Sequence, residues 1–130
     1  MIKLGMKELV SAAQGEVASR TPQEVMNLQG KGEIVLVDVR DGHELQRDGT
    51  IPGAIHASRG MLELHVDPNS PAFKEVFGED KEFVFYCASG GRSALAAQTV
   101  QRMGLPRVSF LSGGVKAWRE MGGTMSPVDI

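Results

Sequence analysis

Apolar residues are distributed along the chain in two patterns, which predict buried strands and amphipathic helices. Ile34 to Val37 and Phe83 to Tyr86 are continuous apolar runs, and Val108 to Leu111 is interrupted only by one serine. Such runs are typical of strands that are buried on both faces of a parallel sheet. Shorter strands are predicted at residues 17–19 and at Ile55. The pattern therefore predicts a central, mainly parallel sheet of about five strands.

The segments between these runs show helical spacing. Residues 6–13 carry apolar side chains at i, i+3, i+4 and i+7, and the helix that they predict ends at Gly15. A second helix begins after Thr21, with Pro22 at its first position, and stops at Gly30. The remaining helices are predicted near Glu44, over residues 72–77, after Arg92 and over residues 115–121. Helices on both faces of the sheet give an α/β fold with three layers, α/β/α.

The length of 130 residues is that of one domain, and we interpret residues 1–130 as a single unit. Residues 1–20 hold the first helix and a short strand. We interpret this helix as a cap over the edge of the domain, with an oligomer contact as the alternative, so that the protein is a monomer or a homodimer. Residues 124–130 are predicted to form a loose tail or a strap over a neighbouring surface.

The single cysteine of the sequence lies at the carboxyl end of the second apolar run. Four small residues separate Cys87 from Arg92, and helical spacing begins after Arg92. The small residues, together with the serine that follows the arginine, are Ala88, Ser89, Gly90, Gly91 and Ser93. Glycines allow the positive φ angles that curl a backbone into an anion-binding nest, and a helix N-terminus adds further N–H dipoles.

This setting has a chemical consequence for Cys87. The ordinary pKa of a thiol is about 8.5, and N–H dipoles and a nearby guanidinium lower it by favouring the ionised form. Cys87 is therefore predicted to be a nucleophile at neutral pH, assisted by Arg92. The alternative is a buried structural cysteine, which behaves as a small hydrophobic residue.

Charged residues also follow the first apolar run. Because ligands collect at the carboxyl ends of parallel strands, Asp38, Arg40 and Cys87 are expected on one side of the sheet. For Asp38 and Arg40 we favour a structural role, in which they hold loops through hydrogen bonds, over direct contact with substrate. Arg40 is expected either to pair with Glu44 or to brace the loop that begins at Cys87.

Two further residues have two interpretations each. The unperturbed pKa of histidine, near 6.5, makes His56 a candidate general base, but we favour a hydrogen bond to backbone. Arg59 is either a surface arginine or a second cation near the mouth of the site, where it would attract an anionic substrate.

Four motifs occur in a fixed order: Asp38-Val39-Arg40, Ile51-Pro52-Gly53-Ala54-Ile55-His56, Cys87 followed after four residues by Arg92, and Ser112-Gly113-Gly114 followed by Trp118. Their order and spacing resemble those of the rhodanese family of sulfurtransferases, over about residues 20 to 123. The resemblance implies a rhodanese-like three-layer α/β/α domain.

The resemblance also implies an activity. In that family the cysteine takes a sulfane sulfur from thiosulfate or a low-molecular-weight persulfide, and the loop's N–H groups hold the resulting persulfide. A thiol, cyanide or a protein acceptor then receives the sulfur, and no cofactor is implied. The residues so implied are Cys87 and Arg92 for catalysis, residues 88–91 and Ser93 for the cradle, and Asp38, Arg40 and Arg59 in support. Ala88 and Ser89 are uncharged, which gives thiosulfate less cationic assistance than in some relatives.

Two other functions remain open. Phosphatases and arsenate reductases use a related loop on a similar fold, but those loops hold five residues between cysteine and arginine, whereas Cys87 and Arg92 enclose four. A smaller ring suits one sulfur atom better than a tetrahedral oxyanion. The other hypothesis is a noncatalytic or regulatory module, or one that delivers sulfur only to a protein partner.

Composition narrows the expected partners. The apolar content of 42% and the charged content of 23% are ordinary for a globular protein. A net charge of −2 gives no reason to propose nucleic acid or an anionic membrane as a partner. The sequence shows no signal-peptide pattern and no long apolar run, so the cytoplasm is expected. One cysteine cannot form an internal disulfide, and three scattered histidines do not have the spacing of a metal site.

Overall fold

The computed structural model of the protein describes residues 1–128, and its centre is a parallel β-sheet. The strands of this sheet are β1 (Ala18–Arg20), β2 (Ile34–Asp38), β3 (Ile55–His56), β4 (Glu82–Tyr86) and β5 (Val108–Leu111). Their order across the sheet is β1-β5-β4-β2-β3, and every neighbouring pair runs parallel. The α/β fold with a central sheet of five strands, predicted from the apolar runs, is confirmed.

Helices cover both faces of this sheet. They are α1 (Met6–Glu16), α2 (Pro22–Gly30), α3 (Gly42–Asp48), α4 (Leu62–Val66), α5 (Gly91–Arg102) and α6 (Gly114–Glu120), with short 3-10 turns at Arg59–Met61 and Glu75–Gly78. One hydrophobic core includes Ala13 of α1, Leu62 of α4 and Ala97 of α5. The other core includes Val25 of α2 and Trp118 of α6. The sheet therefore separates two cores, which is the three-layer arrangement.

The side chains of β4 alternate between these two cores, as the pleat of a strand requires. Phe83 and Phe85 belong to the core with α1, α4 and α5, whereas Val84 and Tyr86 belong to the core with α2 and α6. Continuous apolar sequence is needed because both faces of the strand are covered. The alternation continues at Cys87, which packs into the core on the α5 side.

The first helix runs further than the sequence pattern predicted. Helix α1 continues through Gly15 to Glu16 and ends where Val17 adopts an extended backbone, so the prediction that Gly15 ends it was wrong. A glycine inside a helix costs about 1 kcal/mol relative to alanine. The burial of Ala13 and Val17 against the core outweighs that cost. Consequently β1 begins one residue later than predicted.

The segment between β3 and β4 also differs from the prediction. The helix expected over residues 72–77 is only a 3-10 turn at Glu75–Gly78. A short helix that the pattern did not reveal, α4, lies at Leu62–Val66 instead.

The C-terminal segment is attached to the domain as far as the structure describes it. Thr50 and Ser126 form an antiparallel bridge, and Nε1 of Trp118 donates to the carbonyl of Thr124 at 2.8 Å. These contacts are those of a strap, one of the two forms predicted for residues 124–130. Residues 129–130 of that predicted segment lie outside the described residues.

Candidate active site

The carboxyl ends of β2 and β4 meet at one edge of the sheet. Asp38 and Tyr86 are register partners, and the N–H of Val39 donates to the carbonyl of Tyr86 at 3.0 Å. The chain leaves β4 at Cys87 and enters α5 at Gly91. The segments that follow both strands are therefore neighbours, and the site is built around the Cys87 loop, defined as residues 87–92.

The loop curls around its own sulfur. The N–H of Gly90 donates to Sγ of Cys87 at 3.1 Å, and Oγ of Ser93 lies 3.5 Å from the same sulfur. Gly90 has φ +114°, a conformation that a side chain disfavours. The hydroxyl of Ser93 also donates to the carbonyl of Gly90 at 3.2 Å, which fixes the turn. Cys87 is only 1% exposed, while Ser89 lies on the exposed rim of the loop.

Helix α6 orients the first two peptides of the loop. The N–H of Val115 donates to the carbonyl of Cys87 at 2.9 Å, and that of Lys116 donates to the carbonyl of Ala88 at 3.1 Å. Because a trans peptide places its N–H opposite its carbonyl, the N–H groups of Ala88 and Ser89 point away from α6. Among residues 1–128 these two N–H groups have no hydrogen-bond acceptor. They are donors available to a bound anion.

The glycine-rich motif at the start of α6 allows this close approach. Gly114 has φ +59°, and a Cβ atom there would lie 2.5 Å from the carbonyl oxygen of Cys87 and 2.7 Å from that of Ala88. No side chain fits at such distances. The motif therefore serves the Cys87 loop through backbone contact.

Arg92 is held by a carboxylate from α3. Its Nη1 and Nη2 atoms donate to Oε1 and Oε2 of Glu44 at 2.6 and 3.0 Å. This pairing lowers the pKa of Glu44 to about 2 and raises the pKa of Arg92. The expectation that Arg40 pairs with Glu44 was wrong, because Arg92 occupies Glu44 and the guanidinium of Arg40 bonds to Asp38 and to the carbonyl of Gly49. That Arg40 braces the loop stays a prediction.

Asp38 and Arg40 form a buried ion pair at the carboxyl end of β2, beside the end of β4. Their exposures are 0% and 1%, and Nε and Nη2 of Arg40 lie 3.0 and 2.8 Å from the two carboxylate oxygens. Nη2 of Arg40 also donates to the carbonyl of Gly49 at 2.7 Å. The hydroxyl of Thr50 donates to Asp38 at 3.0 Å and lies 2.6 Å from the hydroxyl of Tyr86. The network thus reaches the residue directly before Cys87.

Sequence reasoning missed the roles of Thr50 and Tyr86 in this network. The N–H of Ile51 also donates to the hydroxyl of Tyr86, at 3.1 Å. Burial, followed by the charge of Asp38, raises the pKa of Tyr86 well above its ordinary value, so this hydroxyl keeps its proton. The sequence did contain a signal for the role of Tyr86. A tyrosine at the end of a buried strand has a buried hydroxyl, which needs a hydrogen-bond partner.

The side chains of His56 and Arg59 bond to residues outside the Cys87 loop. Nε2 of His56 donates to the carbonyl of Arg40 at 2.7 Å, so this ring bonds to backbone. The guanidinium of Arg59 bonds to Glu63 at 2.8 Å and to Thr99 at 3.3 Å. Thr99 comes two turns after the start of α5, about 12 Å along its axis. Both partners of Arg59 therefore lie outside the Cys87 loop, and a role as a second cation near the site stays a prediction.

A pocket of about 370 Å³ opens beside the loop. Its walls include Ala88, Arg40 and Asp48 together with Val115, Lys116 and Arg119 of α6. Among residues 1–128 no cluster of histidine, cysteine or acidic side chains has the arrangement of a metal site. No helix in the same part of the chain has the length and apolarity to cross a membrane.

Comparisons with known proteins agree with this geometry. A family model described as "Rhodanese-like domain" matches residues 21–121. The putative sulfurtransferase YtwF of Bacillus subtilis is 33% identical over 91 residues, which cover 70% of this chain and 79% of that protein. The thiosulfate:glutathione sulfurtransferase of Homo sapiens is 30% identical over 103 residues, 75% of this chain and 89% of that protein.

A solved structure from Rhodopseudomonas palustris CGA009 is more similar still. It shares 46% sequence identity, with a TM-score of 0.92, and the match covers 97% of each chain. That protein is described as one of unknown function and a possible tyrosine phosphatase.

Proposed function

This chain belongs to the rhodanese-like domain family, and on that premise we propose that it transfers one sulfane sulfur through a persulfide on Cys87. Relatives named as sulfurtransferases support sulfur transfer in general. One observation carries the specific proposal: the N–H of Gly90 already donates to Sγ of Cys87, and the N–H groups of Ala88 and Ser89 are free to receive an anion.

In the first half-reaction Cys87 is loaded. Its thiolate attacks the outer sulfur of a donor such as thiosulfate, a new S–S bond forms on Sγ, and the S–S bond of thiosulfate breaks. Sulfite leaves with the electron pair of that bond. The negative outer sulfur of the persulfide is then stabilised by backbone N–H groups that are already in position, so little reorganisation is needed.

In the second half-reaction an acceptor empties the cysteine. A thiolate or cyanide attacks the outer sulfur, and the bond between that sulfur and Sγ breaks with its electron pair returning to Cys87. The products are an acceptor persulfide or thiocyanate and the free thiolate. Each cycle moves one sulfur atom and requires no external oxidant or reductant.

Arg92 acts mainly as a positioning residue in this proposal. Both of its Nη atoms bond to Glu44, so its charge is largely compensated before any anion arrives. Its contribution is to fix the end of the loop against α3. Asp38 and Arg40 contribute indirectly. Through hydrogen bonds with Thr50 and Tyr86 they fix the end of β4, from which Cys87 projects.

A phosphatase is the second candidate, because the similar structure from Rhodopseudomonas palustris carries that description. Two features of this chain disfavour it. The loop has four residues between Cys87 and Arg92, and a phosphate clamp by both Nη atoms of Arg92 would require them to leave Glu44. Hydrolysis of p-nitrophenyl phosphate, dependent on Cys87, would favour this candidate.

Intact mass spectrometry tests the proposal directly. After incubation with thiosulfate or, separately, glutathione persulfide, the protein should gain the mass of one sulfur atom, and cyanide should remove it as thiocyanate. The Cys87→Ser variant is the matched control and should gain nothing. If neither donor loads the wild type, the catalytic proposal fails and a noncatalytic module becomes the better interpretation.

A further inference from the structure

A buried hydroxyl lies against the sulfur of the nucleophile. Oγ of Ser93 is 3.5 Å from Sγ of Cys87, and the exposures of these two residues are 0% and 1%. The same oxygen lies 3.2 Å from the carbonyl oxygen of Gly90. A hydroxyl has one proton to donate and can turn it toward either neighbour without moving its oxygen. The proton of Ser93 can therefore bond either to a carbonyl or to the reacting sulfur.

The protonation state of Cys87 favours one acceptor or the other. In the neutral thiol, the S–H group donates to Oγ of Ser93, and the Ser93 hydroxyl donates to Gly90. In the thiolate, Sγ has no proton to donate and carries a full negative charge. Hydrogen bonds to a charged acceptor are roughly twice as strong as those to a neutral one, which favours turning the Ser93 proton to Sγ.

Turning the hydroxyl leaves the carbonyl of Gly90 with a hydrogen-bond partner. The N–H of Ala94 donates to that carbonyl at 3.2 Å, so the turn keeps a backbone contact. The N–H of Gly90 meanwhile stays on Sγ at 3.1 Å. The thiolate thus receives one donor from the backbone and one from a side chain, and no buried polar group is left without a partner.

The hydroxyl acts on a different atom from the free N–H groups of the loop. In the proposed mechanism the N–H groups of Ala88 and Ser89 stabilise the outer sulfur, which carries the negative charge of the persulfide. Sγ is then uncharged and only a weak acceptor. The Ser93 hydroxyl is buried against Sγ itself, so it responds to charge on the inner sulfur, which exists before loading and after discharge.

We propose that Ser93 is a catalytic residue of the discharge step, in which its hydroxyl stabilises the negative charge that develops on Sγ. The inference rests on the proposed persulfide chemistry. The acceptor attacks the outer sulfur, the bond between that sulfur and Sγ breaks, and its electron pair returns to Sγ. The Ser93 proton turns from Gly90 to Sγ as this charge grows and stays covalently bound to the Ser93 oxygen. Because the contact strengthens as the bond breaks, it accelerates the step.

The same contact has the opposite effect on the attack that loads Cys87. It stabilises the thiolate, and a stabilised thiolate is a weaker nucleophile but a better leaving group. A purely structural role, in which the Ser93 hydroxyl only holds the turn at Gly90, would instead assist both half-reactions. The two roles therefore predict different rates for a variant that lacks the hydroxyl.

Single-turnover rates of Ser93→Ala separate these two roles. For discharge, the protein is loaded, freed of donor and mixed with cyanide, and thiocyanate is measured. For loading, the free protein is mixed with thiosulfate or glutathione persulfide at a pH where alkylation by iodoacetamide has reached its maximum rate. We expect discharge to slow about three- to tenfold, the effect of part of one hydrogen bond to a charged group. Loading should stay unchanged or become up to about threefold faster.

The pH profile of alkylation provides a second readout. In Ser93→Ala the pH at which iodoacetamide reacts with Cys87 at half its maximum rate should rise by about one unit or more, because the thiolate loses a donor. A hydroxyl that never bonds to Sγ would leave this midpoint in place.

Ser109→Ala is the matched control. Ser109 is also a buried serine, at 1% exposure, and its hydroxyl donates to Glu82 at 2.7 Å. It lies in β5 beside Val84, three residues before Cys87 on the neighbouring strand, and therefore away from the loop. Its loss should leave the loading rate, the discharge rate and the pH profile unchanged.

Each outcome has a clear meaning. Discharge at the wild-type rate in Ser93→Ala would overturn the inference while leaving sulfur transfer by Cys87 intact. Equal slowing of loading and discharge would also overturn it, because the hydroxyl would then only hold the turn. Failure of the wild type to load with either donor would overturn the proposed function, and this inference with it.

Discussion

Arg92 and Glu44 form a two-pronged ion pair that joins the end of the Cys87 loop to helix α3. The two contacts measure 2.6 and 3.0 Å, and Oε1 of Glu44 also accepts the N–H of Asp41 at 3.2 Å. The Glu44 side chain is only 13% exposed, whereas that of Arg92 is 35% exposed. The carboxylate is thus fixed from both sides, and the loop cannot move independently of α3.

Replacing Glu44 by glutamine should weaken both the fold and the loading of Cys87. The substitution removes the charge that compensates Arg92, and for a pair that is partly exposed the expected cost is about 1 to 2 kcal/mol of unfolding free energy. Loading should slow because the end of the loop is less firmly held. Urea unfolding and single-turnover mass spectrometry measure the two effects.

Glu63→Gln is the matched control for that substitution. Glu63 also pairs with an arginine, Arg59, but it is 52% exposed and four residues away on the same surface. Its loss should cost no more than about 0.5 kcal/mol and should not change the loading rate. Equal losses in the two variants would show that the Glu44 pair has no special role.

The contribution of Glu44 to stability should depend on pH. Its pKa is lowered from 4.5 to about 2 in the folded protein, mainly by the hydrogen bond with Arg92. The stabilisation is therefore fully present above the unfolded pKa and is lost as the pH falls toward 2. The difference in unfolding free energy between wild type and Glu44→Gln should shrink between pH 5 and about pH 2. A difference that stays constant over this range would contradict the assignment.

Gly114→Ala should disturb the Cys87 loop although it lies outside that loop. The new Cβ would meet the carbonyl oxygen of Cys87 at 2.5 Å, and the residue would keep a disfavoured φ of +59°. Backbone has to move, so a loss of about 2 kcal/mol or more and slower loading are expected. Unfolding curves and persulfide mass spectra test both.

A second glycine of the same chain provides the comparison. At Gly15, inside α1, a Cβ would meet nothing within 4 Å, and the backbone is helical. Alanine there should leave stability unchanged or raise it by up to about 1 kcal/mol. If Gly114→Ala behaved like Gly15→Ala, the close approach of α6 to the loop would not be needed.

Local patterns in the sequence were sufficient to predict the sheet and the position of Cys87 at the end of β4. β2, β4 and β5 are recognisable because strands covered on both faces must be apolar throughout. The meeting of Asp38 and Cys87 at one edge then follows from parallel topology alone. These predictions required only the order of elements along the chain.

Pairings between distant residues could not be predicted in the same way. Arg92 and Glu44 are separated by 48 positions, and the sequence offers Arg40 as an equally plausible partner for Glu44. Only the packing of α3 against the loop decides between them. Lys116 is similar: its proximity to Ala88 depends on how α6 docks, which no periodicity encodes.

The buried pair of Asp38 and Arg40 leads to the largest expected effect. Asp38→Ala would leave a guanidinium that is 1% exposed with only the carbonyl of Gly49, and would also remove the acceptor of Thr50. Breaking a buried pair by removing one partner costs about 3 to 5 kcal/mol, since the remaining charge is uncompensated. Urea unfolding of Asp38→Ala measures this loss.

Asp80→Ala is the control for Asp38→Ala. It removes an exposed ion pair, so it separates the effect of burial from the effect of losing an ion pair. Asp80 contacts Arg107 at 2.9 Å, but its side chain is 96% exposed, so the loss there should lie within about 0.5 kcal/mol of zero.

Because the network of Asp38 ends at the hydroxyl of Tyr86, Tyr86→Phe should also slow loading while costing only about 1 to 3 kcal/mol. Normal loading in Tyr86→Phe would show that the network stabilises the fold without positioning Cys87.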